Sequence, residues 1–528
     1  MPAVEFDADT VSEPIDRSML EPVDSSPHSD ASDALGEPSQ IDRSDRFIPA
    51  NSSSVMGASA WSMAGYGVGQ GLRLVNNMAL SYLLVPEAFG IMAIINLVIV
   101  GLGMFSDVGS GPCIIQNKRG DQFEFLNTAW LVGAIRGAVI SLLSVPLAIP
   151  VANFFEQPSL VWLIPLASLT ALIHGFASTS IFSLQRHLDA KSLAWLEISS
   201  QAIGSACMCL FAWISPTVYS LVWGMIALAV SRTVLSHRMI RGYRNRFQFN
   251  RTDANELFHF GKWVFVSTLM MFAAMQVDRM LMGKLFDIGT LGIYGFGLAI
   301  ATLPRMMVDK LAFSVLYPVL SSAARDSVET LRHKLIVGRR VILSVGSAMI
   351  IGVFCTCNDF FQLLYHSDFH KAGEICQWLC LSEWIVVLTS TSTQALVAMG
   401  ETRLAAKSNF AKLPTTIIAS IIGFQTGGLE GFIVGLAVGS VVGHLVMTLS
   451  LVQKGMPVVK QDLLTTVFVF VAMAIVVMVQ SNEWLNWPIR YAISGLIVVG
   501  FCCWALYQVN QYRCSEKAIA LADDSSAT

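Results

Sequence analysis

Apolar runs of about 17–25 residues recur along nearly the whole chain after residue 55, and that is the length a helix needs to cross a hydrocarbon core about 30 Å thick. Nothing else in the sequence restricts the fold as strongly. Such runs can be withdrawn from water together only in a bilayer, where each helix pairs its own backbone groups. The alternative spanning architecture, a β-barrel, would show short segments of alternating polarity instead, and the sequence has none. The expectation is an all-α polytopic membrane protein of about fourteen transmembrane helices.

Composition agrees with this reading. Across 528 residues, 54% are hydrophobic and only 13% charged, about half the charged share of a soluble globular domain, and the mean hydropathy is +0.59. The net charge of -3 hides an asymmetry: residues 1–46 hold twelve Asp/Glu and three Lys/Arg, a charge of -9, so the remainder carries +6. The first fifty residues are rich in Asp, Ser, Pro and Glu and poor in aromatics, too polar to bury a core, and are expected to form a disordered acidic tail. They lack a basic stretch followed by an apolar one, so a cleavable signal peptide is not expected. The ten cysteines fall mostly within apolar runs and read as small hydrophobes; no zinc-ligand spacing accompanies them, and neither a metal nor a disulfide framework is expected.

Basic residues gather in every second connection: Lys118/Arg119, Arg186/Lys191, Arg238 to Arg251, Arg325 to Arg340, Arg403/Lys407 and Lys454/Lys460. The positive-inside rule then places both termini in the cytoplasm, and an even number of spans agrees. Shifting the sequence by 202 positions superposes Phe89-Gly90-Ile91-Met92 on Leu291-Gly292-Ile293-Tyr294, Asn76 on Asp278, Asn77 on Arg279 and Asp107 on Asp309. Six helices per copy make this a parallel repeat about an axis along the membrane normal, with a cavity between the two lobes. The expected organisation is an acidic tail (1–50), a six-helix lobe (55–237), a basic loop (238–256), a second six-helix lobe (257–452), two extra helices (460–510) and a cytoplasmic tail (511–528).

Charges inside the apolar runs are the candidate functional residues. A carboxylate or guanidinium at bilayer depth costs roughly 2.5–3.5 kcal/mol on insertion scales, so such groups normally face a bundle interior or a watery cavity. They are Arg73, Arg136, Asp278, Arg279, Arg305, Asp309 and Glu383, with Asp107 at a helix end. Arg279 can pair with Asp278, and Arg305 with Asp309. His174 and His444, in apolar runs, read as satisfied core histidines. Gly65, Gly67, Gly69 and Gly71 read as a close-packing stripe. No Lys-Ser/Thr follows them to complete a nucleotide loop, so ATP hydrolysis is not expected.

Trp61 to Asn77, the Pro86-Glu87-Ala88-Phe89-Gly90 turn, Gln185-Arg186-His187-Leu188 to Leu196-Glu197, and Val277-Asp278-Arg279 followed by Leu291-Gly292-Ile293-Tyr294 together resemble the polysaccharide transport family, the Wzx-like flippases of the multidrug, oligosaccharidyl-lipid and polysaccharide exporter superfamily. The likeness covers about residues 55–510. It implies two six-helix lobes plus two helices, and alternating access that carries an undecaprenyl-diphosphate oligosaccharide across a bacterial inner membrane for surface polysaccharide synthesis. It implies no enzyme activity and no cofactor. The acidic N-terminal extension departs from the family pattern.

For such a cargo, arginine suits the diphosphate, because its planar fork stays charged and binds paired oxygens. Arg73, Arg136, Arg279 and Arg305 are the candidate phosphate ligands, with Asn76 and Asn77 for sugar hydroxyls; Asp107, Asp278, Asp309 and Glu383 are candidates for ion coupling or gating. The expected partners are the lipid-linked oligosaccharide and membrane lipids, with glycosyltransferases and a polymerase of the same pathway as candidates; nucleic acid is not expected, and a monomer is. Two alternatives stay open at this point: a cation-coupled drug exporter of the same superfamily, and a membrane glycan polymerase or ligase.

Overall fold

The apolar runs become long helices. The computed structural model describes residues 52–106, 110–117, 119–187, 189–239, 245–248, 250–251, 272–481 and 487–526, and no strand occurs among them. The first half comprises α1 (Ser52–Ser81), α2 (Pro86–Phe105), α3 (Ser110–Gln116), α4 (Phe123–Phe154), α5 (Leu160–Gly175), α6 (Ser180–Arg186), α7 (Ala190–Ile214) and α8 (Val218–Met239). After α9, residues 272–285, come α10 (Ile288–Ala301), α11 (Leu303–Leu311), α12 (Tyr317–Asp326), α13 (Val328–Leu364) and α14 (Lys371–Ala398). The chain ends in α15 (Thr402–Gln453), α16 (Val459–Ser481) and α17 (Trp487–Ser526).

Nine of these segments are long and apolar enough to cross a membrane, or ten if α5 and α6, bent by 62° at their junction, form one span. The protein is a multi-pass membrane protein. The number is lower than the expected fourteen for physical reasons. Helices α1 and α14 fall outside that set because they are studded with Gly, Ser, Thr, Asn and Gln. Helix α15 runs through two legs that meet at Gly427 and Gly428, the latter at φ 57. The stretch 252–271 lies outside the described residues.

Two boundaries differ from the sequence expectation. The polar segment Arg325 to Arg340, read as a connection, is mostly the start of α13: Ser327 caps it, accepting from the Thr330 amide at 3.1 Å. Leu331, Leu335, Arg339 and Ile342, all buried, then lie three or four residues apart on one face, an amphipathic stripe that favours helix over loop. Helix α17 also continues past the expected end near Tyr507.

Neighbours in sequence pack as antiparallel pairs, α4 with α5, α7 with α8, α13 with α14 and α14 with α15, and a further contact joins the two halves through α2 and α10. That contact obeys the sequence repeat. A Cβ on Gly90 would lie 1.9 Å from the Ile288 carbonyl oxygen, and one on Gly292 would lie 2.1 Å from that of Pro86. Pro86 and Gly90 map onto Ile288 and Gly292 at the 202-residue shift, so each glycine touches the repeat-mate of the residue that the other touches. This is the reciprocity of a two-fold contact, here between two halves of one chain. Phe89, Phe296 and Phe369 stack edge-on beside it, Phe296 standing 4.8 Å from each of the other two. At the same end Lys284 pairs with Glu156 at 2.8 Å. Of the α1 glycine stripe, only Gly65 meets a neighbouring helix closely, against Ala194 of α7.

Asp287 caps α10 at this end, accepting from the Thr290 hydroxyl at 2.7 Å and the Thr290 amide at 2.8 Å. The Thr290 hydroxyl first, and backbone amides after it, hold the carboxyl below its ordinary value of 3.8. Asp287→Ala is expected to cost about 1 kcal/mol, the usual worth of an N-cap. Because the folded pKa is depressed, this contribution is fully present above the ordinary carboxylate value and fades as pH falls through the folded one. Thermal unfolding of parent and variant in detergent should therefore differ at neutral pH and converge in acid.

Candidate functional site

Three of the charges singled out in the apolar runs come together in the second half. Arg305 stands on α11, one turn before Asp309, while Glu383 projects from α14. The Arg305 Nε donates to Glu383 Oε2 at 2.7 Å, and its Nη1 lies 3.3 Å from Asp309 Oδ2. The second Asp309 oxygen accepts from the Ser390 hydroxyl of α14. Glu383 is buried, with 8% of its surface exposed. An acid withdrawn this far from water needs a partner, and Arg305 supplies it.

These groups wall one side of a cavity of about 290 Å³ that Arg305, Asp309, Ser390, Gln394, Asn409, Lys412 and His444 help to line. The wall is built from α11, α14 and both legs of α15. At 1.5 Å rise per residue, Ser408 to Lys412 lie roughly 10–15 Å along α15 from its start, so the cavity is displaced toward the end of the bundle opposite the Gly90/Gly292 crossing. Lys412 lines the cavity with no hydrogen bond or close ion pair among the described residues, and it interacts electrostatically with the buried Glu383 carboxylate and with Asp278. The chamber thus offers an ammonium without a hydrogen-bonding partner, a guanidinium and a set of neutral hydroxyl and amide groups, the equipment for an anion attached to a hydroxylated body.

Of the other candidates, Asp278 lies close enough to interact electrostatically with Arg305, Glu383 and Lys412, and the rest lie elsewhere. Asp278 accepts from the buried Tyr294 hydroxyl at 2.9 Å, and Arg279 donates to Gln276 at 2.8 Å; no ion pair joins Asp278 to Arg279 among the described residues. Arg136 is tied to the end of α2, its Nε to Ser106 Oγ at 3.0 Å and its Nη2 to the Gly103 carbonyl at 2.5 Å. Arg73 is exposed and donates to Gln201 and Gln70 at 3.4 and 3.2 Å. Asn76 is buried against Met208 and Cys209 of α7, with Asn77 half-buried beside it. Asp107 lies outside the described residues. His174, expected in the core, is on the exposed face of α5.

Sequence reasoning passed over Lys412, Asn409 and the network behind His444. Lys412 follows Arg403 and Lys407 closely enough to be absorbed into a basic helix end, although it stands well inside an apolar run. The bundle also ties α1 to α11 in one cluster: Lys310 Nζ donates to the Ser62 carbonyl at 3.1 Å and lies 4.5 Å from the Tyr66 ring centre, and the Tyr66 hydroxyl reaches Met306 Sδ at 3.2 Å.

Comparison with known proteins gives one consistent neighbourhood. The lipopolysaccharide biosynthesis protein WzxC of Escherichia coli (strain K12) is 23% identical over 379 residues, 71% of this chain and 76% of that protein. The succinoglycan biosynthesis transport protein ExoT of Rhizobium meliloti (strain 1021) is 21% identical over 351 residues, 66% of this chain and 70% of its own length. Among solved structures, the lipid II flippase MurJ in an inward closed conformation superposes with a TM-score of 0.65 at 14% identity, covering 87% of this chain and 100% of MurJ. An inward-facing multidrug resistance MATE family transporter of the MOP superfamily gives 0.56 at 14% identity, covering 74% of this chain and 97% of that one. At these identities the structural matches speak for the fold. The family described as "Polysaccharide biosynthesis protein" matches residues 79–374, more than half of the chain, and the protein therefore belongs to the polysaccharide biosynthesis protein family.

Proposed function

We propose that the protein is a flippase that carries a lipid-linked oligosaccharide across a bacterial inner membrane by alternating access, with both termini in the cytoplasm and with lobes near 55–237 and 257–452 moving about the two-fold contact. The observation that carries this reading is the cavity beside Arg305 and Lys412. An undecaprenyl-diphosphate sugar has a dianionic link, a hydroxylated head and an apolar tail that can stay in lipid. At about 290 Å³ the chamber lies at the lower edge of the ~300–1,000 Å³ typical of small-molecule sites. It suits the diphosphate and the sugar next to it, and the remaining sugars extend outside it.

Lys412 serves as the point charge that draws the diphosphate in, and Arg305 as the planar donor that orients it. Asn409, Gln394 and the Ser/Thr hydroxyls of α14 meet the first sugar. No bond is made or broken in this process, so the protein acts as a transporter and needs no cofactor. The glycosyltransferases that build the cargo and the polymerase that consumes it are its partners in the pathway.

The test is transbilayer movement of a fluorescent undecaprenyl-diphosphate oligosaccharide in proteoliposomes. Lys412→Gln should slow movement roughly ten- to hundredfold, the worth of one charge-assisted hydrogen bond of about 1.5–3 kcal/mol, with thermal stability close to that of the parent because Glu383, the carboxylate in its field, keeps its direct pair with Arg305. Undiminished movement in Lys412→Gln would remove the cavity from the transport path. Efflux of a cationic dye in place of the lipid would assign the protein to drug export.

A further inference from the structure

The cavity is built in two tiers. On α14, Val386, Ser390, Thr393 and Gln394 follow at helical spacing and share one face, and Ser408, Asn409 and Lys412 do the same on the first leg of α15. Counted from the turn that joins these two helices, Ser390 and Lys412 stand at similar depth. Thr393, Gln394, Ser408 and Asn409 stand three or four residues nearer the turn, roughly 4.5–6 Å at the helical rise of about 1.5 Å per residue. Arg305 and Asp309 join the deeper tier through Ser390, whose hydroxyl donates to Asp309. The deeper tier therefore carries the charges, and the tier nearer the turn is neutral.

In the neutral tier the hydroxyl protons are already committed. Thr393 Oγ1 donates to the Thr389 carbonyl at 2.9 Å, and Ser408 Oγ to the Gly443 carbonyl at 2.7 Å. A carbonyl oxygen can only accept, so these hydroxyls turn lone pairs toward a ligand. Gln394 and Asn409 add side-chain amides, which both donate and accept. The wall behind is occupied by its own contacts: His444 is met by Thr389 at Nδ1 and by Thr448 at Nε2, each at 3.3 Å, and beyond it Asp462 lies 2.8 Å from the fully buried Arg339. Among the described residues that line the cavity, Val386 has the one side chain made of hydrocarbon alone, and it stands on the far side of the charged tier.

We propose that the sugar bonded to the diphosphate is a neutral hexose with its full set of free hydroxyls, and that the tier of Thr393, Gln394, Ser408 and Asn409 selects it. This selection rests on the headgroup site proposed above and names the class of sugar which that site leaves open. With the diphosphate on Lys412 and Arg305, the attached ring falls in the neutral tier, where each hexose hydroxyl brings a proton that Thr393 or Ser408 can accept. A 2-acetamido sugar keeps an N–H but adds a carbonyl and a methyl group to a chamber of about 290 Å³ whose hydrocarbon side chain is out of reach. A uronic acid replaces a donor by a carboxylate, which only accepts, in a tier with no cation among the described residues. A buried acceptor left unpaired is costly, and a site built to pair a hydroxyl discriminates more sharply than one that measures size.

The test is calorimetric binding, to the full-length protein in detergent, of diphosphodiesters of farnesol that differ only in the second ester group: methyl, glucosyl, N-acetylglucosaminyl and glucuronosyl. The glucosyl ligand should bind about tenfold more tightly than each of the others, the worth of one or two hydroxyl hydrogen bonds. Thr393→Val, which keeps the shape of the side chain and removes the acceptor, should take most of that advantage away. The methyl ligand, which does not reach the neutral tier, reports whether the charged tier of this variant is intact. An N-acetylglucosaminyl or glucuronosyl ligand that binds as tightly as the glucosyl one overturns the inference and leaves the headgroup reading standing. A methyl ligand that binds as tightly as the glucosyl one puts the sugar outside the chamber and overturns the inference as well. A glucosyl advantage undiminished in Thr393→Val overturns the role of this tier. Failure of every ligand to bind overturns the headgroup reading, and the choice of sugar with it.

Discussion

Arg305→Gln is expected to stop oligosaccharide movement and to destabilise the protein, and a second substitution, Glu383→Gln, is expected to repair the stability without restoring movement. The guanidinium carries five N–H donors, of which one each go to Glu383 and Asp309, leaving three for a ligand. In the absence of cargo the two carboxylates occupy the cation. In the proposed reading an arriving diphosphate competes with them for the same fork, which would make Arg305 the substrate's ligand as well as the internal counter-ion. Removing it strands Glu383, buried with 11% of its side chain exposed. Breaking one partner of a buried pair costs roughly 3–5 kcal/mol, whereas neutralising both is often nearly neutral. Arg305 is about a quarter exposed, which puts the single variant at the lower end of that range. Thermal unfolding in detergent, beside the proteoliposome assay, reads both quantities. If Arg305→Gln/Glu383→Gln recovers transport along with stability, Arg305 is a structural ion-pair partner only and the cargo passes elsewhere.

The way this site was legible in the sequence follows from what bilayer energetics can and cannot specify. Arg305, Asp309 and Glu383 were visible because a charge in an apolar run must find either a partner or water, and that rule needs no tertiary structure. Which partner it finds depends on how each helix is rotated about its axis, and the sequence of a helix with polar residues on several faces does not settle that. Arg136 had no neighbouring acid in its own run and was expected to face a cavity; the structure ties it to the end of α2. Lys412 and Asp462 were hidden for the opposite reason. Each stands within a few residues of other charges at a helix start, Lys412 after Lys407 and Asp462 after Lys460, so they merged with the basic signal that sets orientation. The number of spans blurred where function shapes composition: α14 contributes Glu383, Thr389, Ser390 and Gln394 to the polar interior, and this same polarity lowers its hydropathy below that of a simple lipid-facing span.

The 202-residue repeat was legible as a motif and became meaningful only when Gly90 and Gly292 met. It leads to the second large effect: Gly90→Ala and Gly292→Ala should each disrupt the closed end of the bundle, and the double variant should be little worse than either single one. A methyl group on Gly90 would come 1.9 Å from the Ile288 oxygen, and one on Gly292 2.1 Å from the Pro86 oxygen. Both obstacles are backbone, which cannot rotate aside as a side chain can, so α2 and α10 must separate by an ångström or more to admit either. Overpacking of this kind costs about 1–3 kcal/mol, and the separation loosens the Phe89, Phe296 and Phe369 cluster beside it. Once one methyl has parted the helices, the second finds room already made. Residues sharing one contact are therefore non-additive, whereas independent sites would add within about 0.5 kcal/mol. Thermal unfolding of the two singles and the double gives the coupling directly, and, in the proposed alternating-access reading, the transport assay should show movement falling with the first substitution, since this end would have to close while cargo loads from the other. Additive losses would mean that the two glycines belong to separate contacts rather than to one two-fold crossing. Unchanged stability and transport in Gly90→Ala would mean that α2 and α10 do not meet in the working cycle, and the closing of that end would then have to rest on Lys284, Glu156 and the aromatic cluster.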